Sequence, residues 1–429
     1  MGIQISGIND TISASDGGLS ISGQSIENAN LVLSQNLSVT GIATLGTTVV
    51  GSAVTINSTG INVSGITTIS NLRSTNANLT GVTTTSSIIV GTAVTINSTG
   101  INAPGIGITI ANVNDGPLAG FRNFIINGNM AISQRGTSFT TINTYNLDRY
   151  RTFGGPITHT ITQQDSIATY SPSRYALRAA RDSGATETNE LGIAQGIESQ
   201  NSYALRGKTV TVSFRARCGA NFSSTSSALL VRVFTGTGTD ENPVNMTGQN
   251  ADISQSVTLT TSLQTFSVTG TLSASLTQAT LTFSYTATGT AGANDWFEIT
   301  DVQLEPGTVA TPFERRSTGQ ELALCQRYFC KTYNTNVAPG TVSKAGSIFV
   351  YKNSANEAGF CFQMPVEMRV VPTIVLYSHA GTVNKFTSST TDQNSTSNGD
   401  INGTRAVMSY GSTTIATDCY QHFTCSAEL

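Results

Sequence analysis

Apolar and polar residues alternate through most of this chain with a period of two, and the length of the alternating runs changes along it. The first runs are very short. Val54-Thr55-Ile56 and Ile61-Asn62-Val63 are set off by Gly51, Gly60 and Gly65, which predicts short strands broken by turns. The pattern also recurs: Val50 to Asn62 returns at Val90 to Asn102 with Ser52 replaced by Thr92, a period of 40 residues. A shorter Thr-Gly-Ile/Val-x-Thr motif stands at Thr40 to Thr44 and Thr80 to Thr84, with Ser64 to Thr68 as a variant. Fixed-period β-repeats signal solenoids and fibres. Two long copies cannot bury their apolar faces on each other alone. The pattern therefore predicts identical chains wound together, a homotrimeric shaft over residues 31–120, with a flexible Ser/Thr/Gly linker as the alternative.

From Phe121 the runs lengthen, and up to Arg315 their spacing and alternation suit a two-sheet sandwich. The period then changes. Thr318-Gly319-Gln320-Glu321 reads as a capping box. Behind it Leu322, Cys325 and Phe329, with Leu324 and Tyr328 alongside, lay an apolar stripe along a helix of about three turns. That helix could pack on the sandwich or meet its copies on a trimer axis. Beyond Lys331 strand character returns, at Ser347 to Tyr351, Ala358 to Gln363, Pro372 to Ser378, Ala406 to Tyr410 and Asp418 to Ser426. Between them Thr387 to Thr404 is almost wholly polar, the composition of a surface loop.

Composition sharpens this picture. Residues 1–120 contain no Phe, Tyr or Trp, and Arg73 is the one charged side chain from Leu31 to Ile110. Such a stretch cannot build an ordinary aromatic-rich core. Charged residues are 11% of the whole, against roughly 25% in ordinary soluble domains. A net charge of −3 gives no electrostatic reason for a nucleic acid or an anionic membrane as partner. No run approaches the ~20 apolar residues of a bilayer span, and the N-terminus lacks the basic start and apolar core of a signal peptide. The six cysteines include no C-x2-C pair, and with three histidines they suggest free thiols rather than a zinc site.

Several segments resemble known proteins. Arg122 to Gly136 (RNFIINGNMAISQRG) followed by Leu147-Asp148-Arg149-Tyr150 is similar to a jelly-roll module recurrent in bacteriophage fibres, where an asparagine-rich strand precedes QRG and then DRW or DRY. Leu205 to Arg217, Thr261 to Leu272 and Trp296 to Leu304 resemble the central strand, penultimate hairpin and last strand of carbohydrate-binding-module jelly rolls. The junction LEPG, ATPFE, ELALCQRYF resembles that of phage tail-fibre and virion appendage proteins. Gln363 to Arg369 with Pro372-Thr373, and the terminal Ser426-Ala427-Glu428-Leu429, are similar to their C-terminal domains. The resemblance spans Phe121 to Leu429. Together with the repeats before it, it implies an all-β protein with an N-terminal β-repeat shaft, a central jelly-roll β-sandwich, one short helix and a small C-terminal β-domain. The expected divisions are a virion attachment segment over 1–30, the shaft over 31–120, the jelly roll over 121–316, a linking helix over 317–333 and a head over 334–429.

The resemblance further implies a structural fibre of a tailed-phage virion, on tail or capsid, assembled in the host cytoplasm. Its N-terminus would hold other virion proteins, and the fibre would adhere to host surface glycans without membrane insertion. A purely architectural fibre is one rival, and a polysaccharide-cleaving spike another. No catalytic constellation stands out, and no cofactor is implied beyond a structural calcium. In carbohydrate-binding jelly rolls an aspartate on the last strand helps hold that ion, here Asp301, although the usual acidic partner is replaced by Ala131. Sugar binding needs a flat apolar surface beside a few polar groups. The candidate platforms are Tyr145, Tyr170, Tyr175 and Tyr203, with Tyr150 expected to be buried and Trp296 to be packing. In the polar loop the candidate receptor contacts are Asp392, Asn394, Asn398, Asp400 and Asn402.

Overall fold

The forty-residue repeat of the sequence is a repeat of structure. In the computed structural model, strands β1 (Thr47–Val50), β2 (Val54–Asn57) and β3 (Gly60–Val63) form an antiparallel meander. Strands β4 (Ser87–Val90), β5 (Val94–Asn97) and β6 (Gly100–Asn102) form it again. Val50 pairs with Val54 as Val90 pairs with Val94 in the copy. The structure describes residues 47–50, 54–57, 60–63, 87–90, 94–97, 100–102, 122–352, 357–388, 391–397, 402–412 and 419–429. The expected attachment segment, residues 1–30, lies outside them. The chain divides into two compact units, Met1–Ile106 and Gly107–Leu429.

The second unit holds the sandwich. Its strands are β7 (Ser138–Phe139), β8 (Arg151–Gly154), β9 (His159–Asp165), β10 (Tyr175–Arg181), β11 (Glu190–Ile197) and β12 (Thr209–Cys218). They continue with β13 (Ala228–Gly236), β14 (Asn250–Thr258), β15 (Gln264–Thr271), β16 (Gln278–Thr286) and β17 (Trp296–Pro306). Two short helices, α1 (Ile167–Tyr170) and α2 (Ser199–Ser202), sit in the connections. One sheet runs β15-β12-β17-β10-β9-β7 and the other β14-β13-β16-β11-β8. Alternation decides which side chains meet between them: Val210, Val212, Phe214 and Ala216 from one sheet face Leu229, Val231, Val233 and Phe283 from the other, all buried. Phe214 meets Phe283 edge-on at 4.8 Å, and each such ring contributes about 1.5–3 kcal/mol by burial. Opposite Phe214 the pairing of β12 with β17 slips by one residue. Asp301 occupies the resulting bulge at φ 51°, a device that re-aims a side chain.

The INGxM opening is not a strand. Asn127 and Met130 take positive φ, and the Asn127 side chain bonds Ile132 and the Asp148 carbonyl in place of a ladder. Gly128 presses on the last strand, where a Cβ would lie 2.2 Å from the Val302 carbonyl oxygen. The QRG and DRY motifs meet in space: Asp148 accepts from the Gln134 N–H and side-chain amide at 2.6 Å each. Burial pushes the Asp148 carboxyl up from its ordinary value.

Helix α3 (Thr318–Gln326) is capped one residue earlier than expected, by Ser317 with Gln320 reaching back. Its buried face also differs. Cys325 of the expected stripe is buried, as are Tyr328 and Phe329 just beyond the helix end, but Leu322 and Leu324 are only half-buried and Glu321 is buried beside Cys325. Glu321 is drawn in because its carboxylate accepts from the Asn127 N–H and pairs with Arg316. No helix among the described residues is long and apolar enough to cross a membrane.

The head comprises β18 (Phe329–Lys331), β19 (Ile348–Lys352), β20 (Glu357–Gln363), β21 (Thr373–Tyr377), β22 (Lys385–Ser388), β23 (Thr391–Asn394), β24 (Thr396–Ser397), β25 (Ala406–Ser412) and β26 (Cys419–Ser426). β26 is its hub, pairing with β18, β19, β21 and β22. The start of the span read as a polar loop instead belongs to an antiparallel hairpin of β22 and β23. All six cysteines are free thiols.

On β26 the His422 ring stacks on Tyr333 at 3.7 Å. Its nitrogens meet the Thr332 hydroxyl and the Ser343 carbonyl. Burial holds this imidazole below its ordinary value, helped by His379 and opposed by the Ser343 carbonyl. The folded pKa lies below the unfolded one, so the unfolded chain binds more protons as pH falls through about 6.5. This contribution is complete above that pH and lost below it. Urea midpoints measured from about pH 7 to about pH 5.5 should fall for the natural chain and flatten in His422→Gln. Equal slopes would remove His422 from the account.

Candidate functional site

Strand β13 reads ALLVRVFTG. Its inward positions, Leu229, Val231 and Val233, are fully buried in the core. The alternate positions, Leu230, Arg232 and Phe234, therefore stand on the outer face of the five-stranded sheet. A solvated outer face would carry small polar residues there. This one instead carries two apolar side chains around an arginine.

The neighbouring strands complete the surface. Gly192 of β11 is paired with Phe153 of β8, and a Cβ on Gly192 would lie 2.3 Å from the Phe153 ring. Glycine thus lets that ring lie across the sheet. Glu190 of β11 forms an ion pair with Arg232, which also donates to the Ser284 hydroxyl at 2.8 Å. The guanidinium carbon is 5.1 Å from the Phe234 ring centre, while the Arg232 Nε has no hydrogen-bond partner.

Two depressions share Glu190 in their linings. One of ≈ 220 Å³ is lined by Phe153, Glu190, Arg232, Phe234, Val244, Gln249 and Thr282. The other, of ≈ 210 Å³, is lined by Glu190, Leu230, Ser256, Ser284 and their neighbours. The surface offers aromatic walls, a carboxylate that accepts, a guanidinium that donates and several hydroxyls. That is the chemistry of a site for a hydroxyl-rich ligand with apolar faces. Among the described residues Glu190 is the one carboxylate lining either depression.

The residues nominated from sequence fall elsewhere. Tyr170 is 1% exposed and donates to Glu298 Oε2 at 2.8 Å, so it offers no ring face. Tyr145 donates to the Leu429 carbonyl at 3.0 Å, and burial pushes its phenol up to about 12. Both are structural links rather than platforms. Tyr175 is half-buried against the core beneath the Arg174 guanidinium. Tyr203 is 47% exposed with Arg206 over its ring at 4.3 Å, outside both depressions. Tyr150 is buried as expected. Trp296 is half-buried, with the guanidinium carbons of Arg178 and Arg217 at 4.1 and 5.4 Å from its ring centre.

Asp301 does not fit a calcium ligand. Its carboxylate pairs with Arg215 at 2.8 Å and accepts from Ser173, with Arg315 at 3.8 Å. Guanidinium groups surround it where oxygen donors would be required. Among the described residues no group of three or more His, Cys, Asp or Glu is placed to hold a metal.

In the head, Asp392 is tied internally, accepting from Ser378 at 2.8 Å and Thr387 at 3.1 Å. This turns a nominated receptor contact into a hairpin lock. Asn394 is exposed and accepts from Lys385 at 2.6 Å, and Asn402 is half-buried. Asn398 and Asp400 lie outside the described residues.

The sandwich and its outer surface define an antiparallel jelly roll with grooved faces. No family model matches the sequence, and no curated protein matches it. Among solved structures, one is the enzymatically active domain of bacteriophage CBA120 tailspike protein 4, at 9% identity and a TM-score of 0.28, over 43% of this chain and 21% of that one. Another is CBM4, at 19% identity and a TM-score of 0.27, over 42% of this chain and 97% of that one. A third is TmCBM61 in complex with β-1,4-galactotriose, at 13% identity and a TM-score of 0.27, over 43% of this chain and 99% of that one.

Proposed function

We propose that this chain is an adhesive fibre of a tailed-phage particle whose sandwich binds saccharide on the outer face of its five-stranded sheet. One observation carries the binding reading: two adjoining depressions flank the Arg232–Glu190 pair, with Phe153 and Phe234 as walls. Sugar C–H faces rest on such walls, while neighbouring hydroxyls meet the guanidinium and carboxylate. The fibre reading rests on the repeated meanders and on the phage-like motifs from Phe121 to Leu429. Trimeric shafts and several fibres per particle would multiply weak single contacts. Binding rather than cleavage suits a surface with one carboxylate, since glycoside hydrolysis by the usual routes employs two.

Titration calorimetry with host surface polysaccharide should show saturable binding to the full chain. Arg232→Ala should weaken it roughly 10–100-fold, the range for a hydrogen bond to a charged group. Phe234→Ala should weaken it to a similar or smaller degree, with unfolding temperature little changed. Absence of binding to any host surface component would favour the architectural fibre. Release of short saccharides would favour the cleaving spike.

A further inference from the structure

The outer face of the six-stranded sheet carries a separate groove of ≈ 490 Å³, larger than either depression on the opposite sheet. We propose that it is a second binding site, selective for a carboxylated pyranose such as a uronic acid residue of a polysaccharide. Its walls include Pro172, Pro312 and Phe313, and its charged lining is Arg215, Asp301 and Arg315. Arg215 and Asp301 satisfy each other through Nε at 2.8 Å. The remaining nitrogens of Arg215 donate to the carbonyls of Ser171 and Tyr170. Arg315 is placed differently. Its side chain is 40% exposed, one terminal nitrogen donates to Ser173 at 3.0 Å, and the other stands 3.8 Å from Asp301, beyond hydrogen-bond reach.

The groove therefore holds one positive charge in excess, on a planar group with open donors beside an aromatic wall. A carboxylate matches that fork in shape and charge. The apolar face of the same sugar ring would rest on Phe313 and the prolines. A neutral sugar would meet the walls and leave the charge unanswered. This site shares no lining residue with the Arg232 surface, so the two stand or fall separately.

The test uses the full chain with two probes, an oligosaccharide ending in glucuronic acid and its counterpart ending in glucose. The acidic probe should bind at least ~10-fold more tightly, and that preference should weaken as sodium chloride is raised, because Arg315 is partly exposed. Arg315→Gln should abolish the preference, Arg315→Lys should keep part of it, and Arg405→Ala, which breaks an exposed pair in the head, should leave it intact. Thermal unfolding of each variant confirms that it is folded. Equal affinity for the two probes, binding of neither, or a preference that survives Arg315→Gln would overturn the proposal.

Discussion

Replacing Glu428 with alanine should destabilise the second unit by about 3–5 kcal/mol and lower its unfolding temperature by on the order of 10 °C. The reason is the company Glu428 keeps. Its carboxylate pairs with Arg149 and, at 3.0 Å, with Arg135. Arg149 is 1% exposed, lies 3.4 Å over the Tyr328 ring centre and donates to the Gly196 carbonyl. Removing the carboxylate leaves that guanidinium buried without its counter-charge, which costs more than the pair itself contributes. The chain end is held by further bonds. Arg369 donates to the carbonyls of Ala427 and Glu428, and Tyr145 to that of Leu429. These contacts seat residues 427–429 between sandwich and head, so proteolysis of Glu428→Ala should open that joint first. Arg405→Ala, which breaks an exposed pair with Glu367, is the control and should cost under about 1 kcal/mol. Equal losses in the two variants would refute this view of the terminus.

Asp295→Ala should produce a loss of similar size at the other end of the sandwich. Arg181 and Asp295 form an ion pair in which both side chains are 0% exposed. Arg181 also donates to Ser223 and to the carbonyls of Ala185 and Gly289, and Asp295 accepts from the Ser223 N–H at 2.9 Å. Three connecting loops are thus gathered on one charge pair. The single variant should cost about 3–5 kcal/mol, but Asp295→Leu with Arg181→Met should cost clearly less than the sum of the two single changes. Denaturant unfolding of the four proteins measures the cycle. Strict additivity would show that the buried charge is not what makes the single change severe.

Strand positions were largely legible because a half-buried strand must alternate. Ala358 to Gln363 and Asp418 to Ser426, read from that period, correspond to β20 and β26 within a residue. The exceptions arise where a polar side chain takes over a backbone role or crosses a long sequence distance. Asn127 replaces ladder bonds with its amide, which turned an expected strand into a turn. Glu321 reaches Asn127 across 194 residues, which draws a charged side chain into the buried face of the helix. Tyr145 and Tyr170 satisfy their hydroxyls inside the fold, and a lone sequence cannot show such partners. The depressions around Arg232 were missed because Glu190 and Arg232 lie 42 residues apart and meet through β16. A usable signal was present nonetheless. Leu230, Arg232 and Phe234 alternate with three core residues, marking a strand with demanding side chains on both faces.

Saccharide is proposed to bind on the five-stranded sheet. Amide hydrogen exchange of the full chain, with and without saturating host oligosaccharide, tests this proposal most directly. Protection should be added in Glu190–Ile197, Ala228–Gly236 and Gln278–Thr286, and lost in Arg232→Ala. Protection confined to the head hairpin Lys385–Asn394, or none anywhere at saturation, would contradict it.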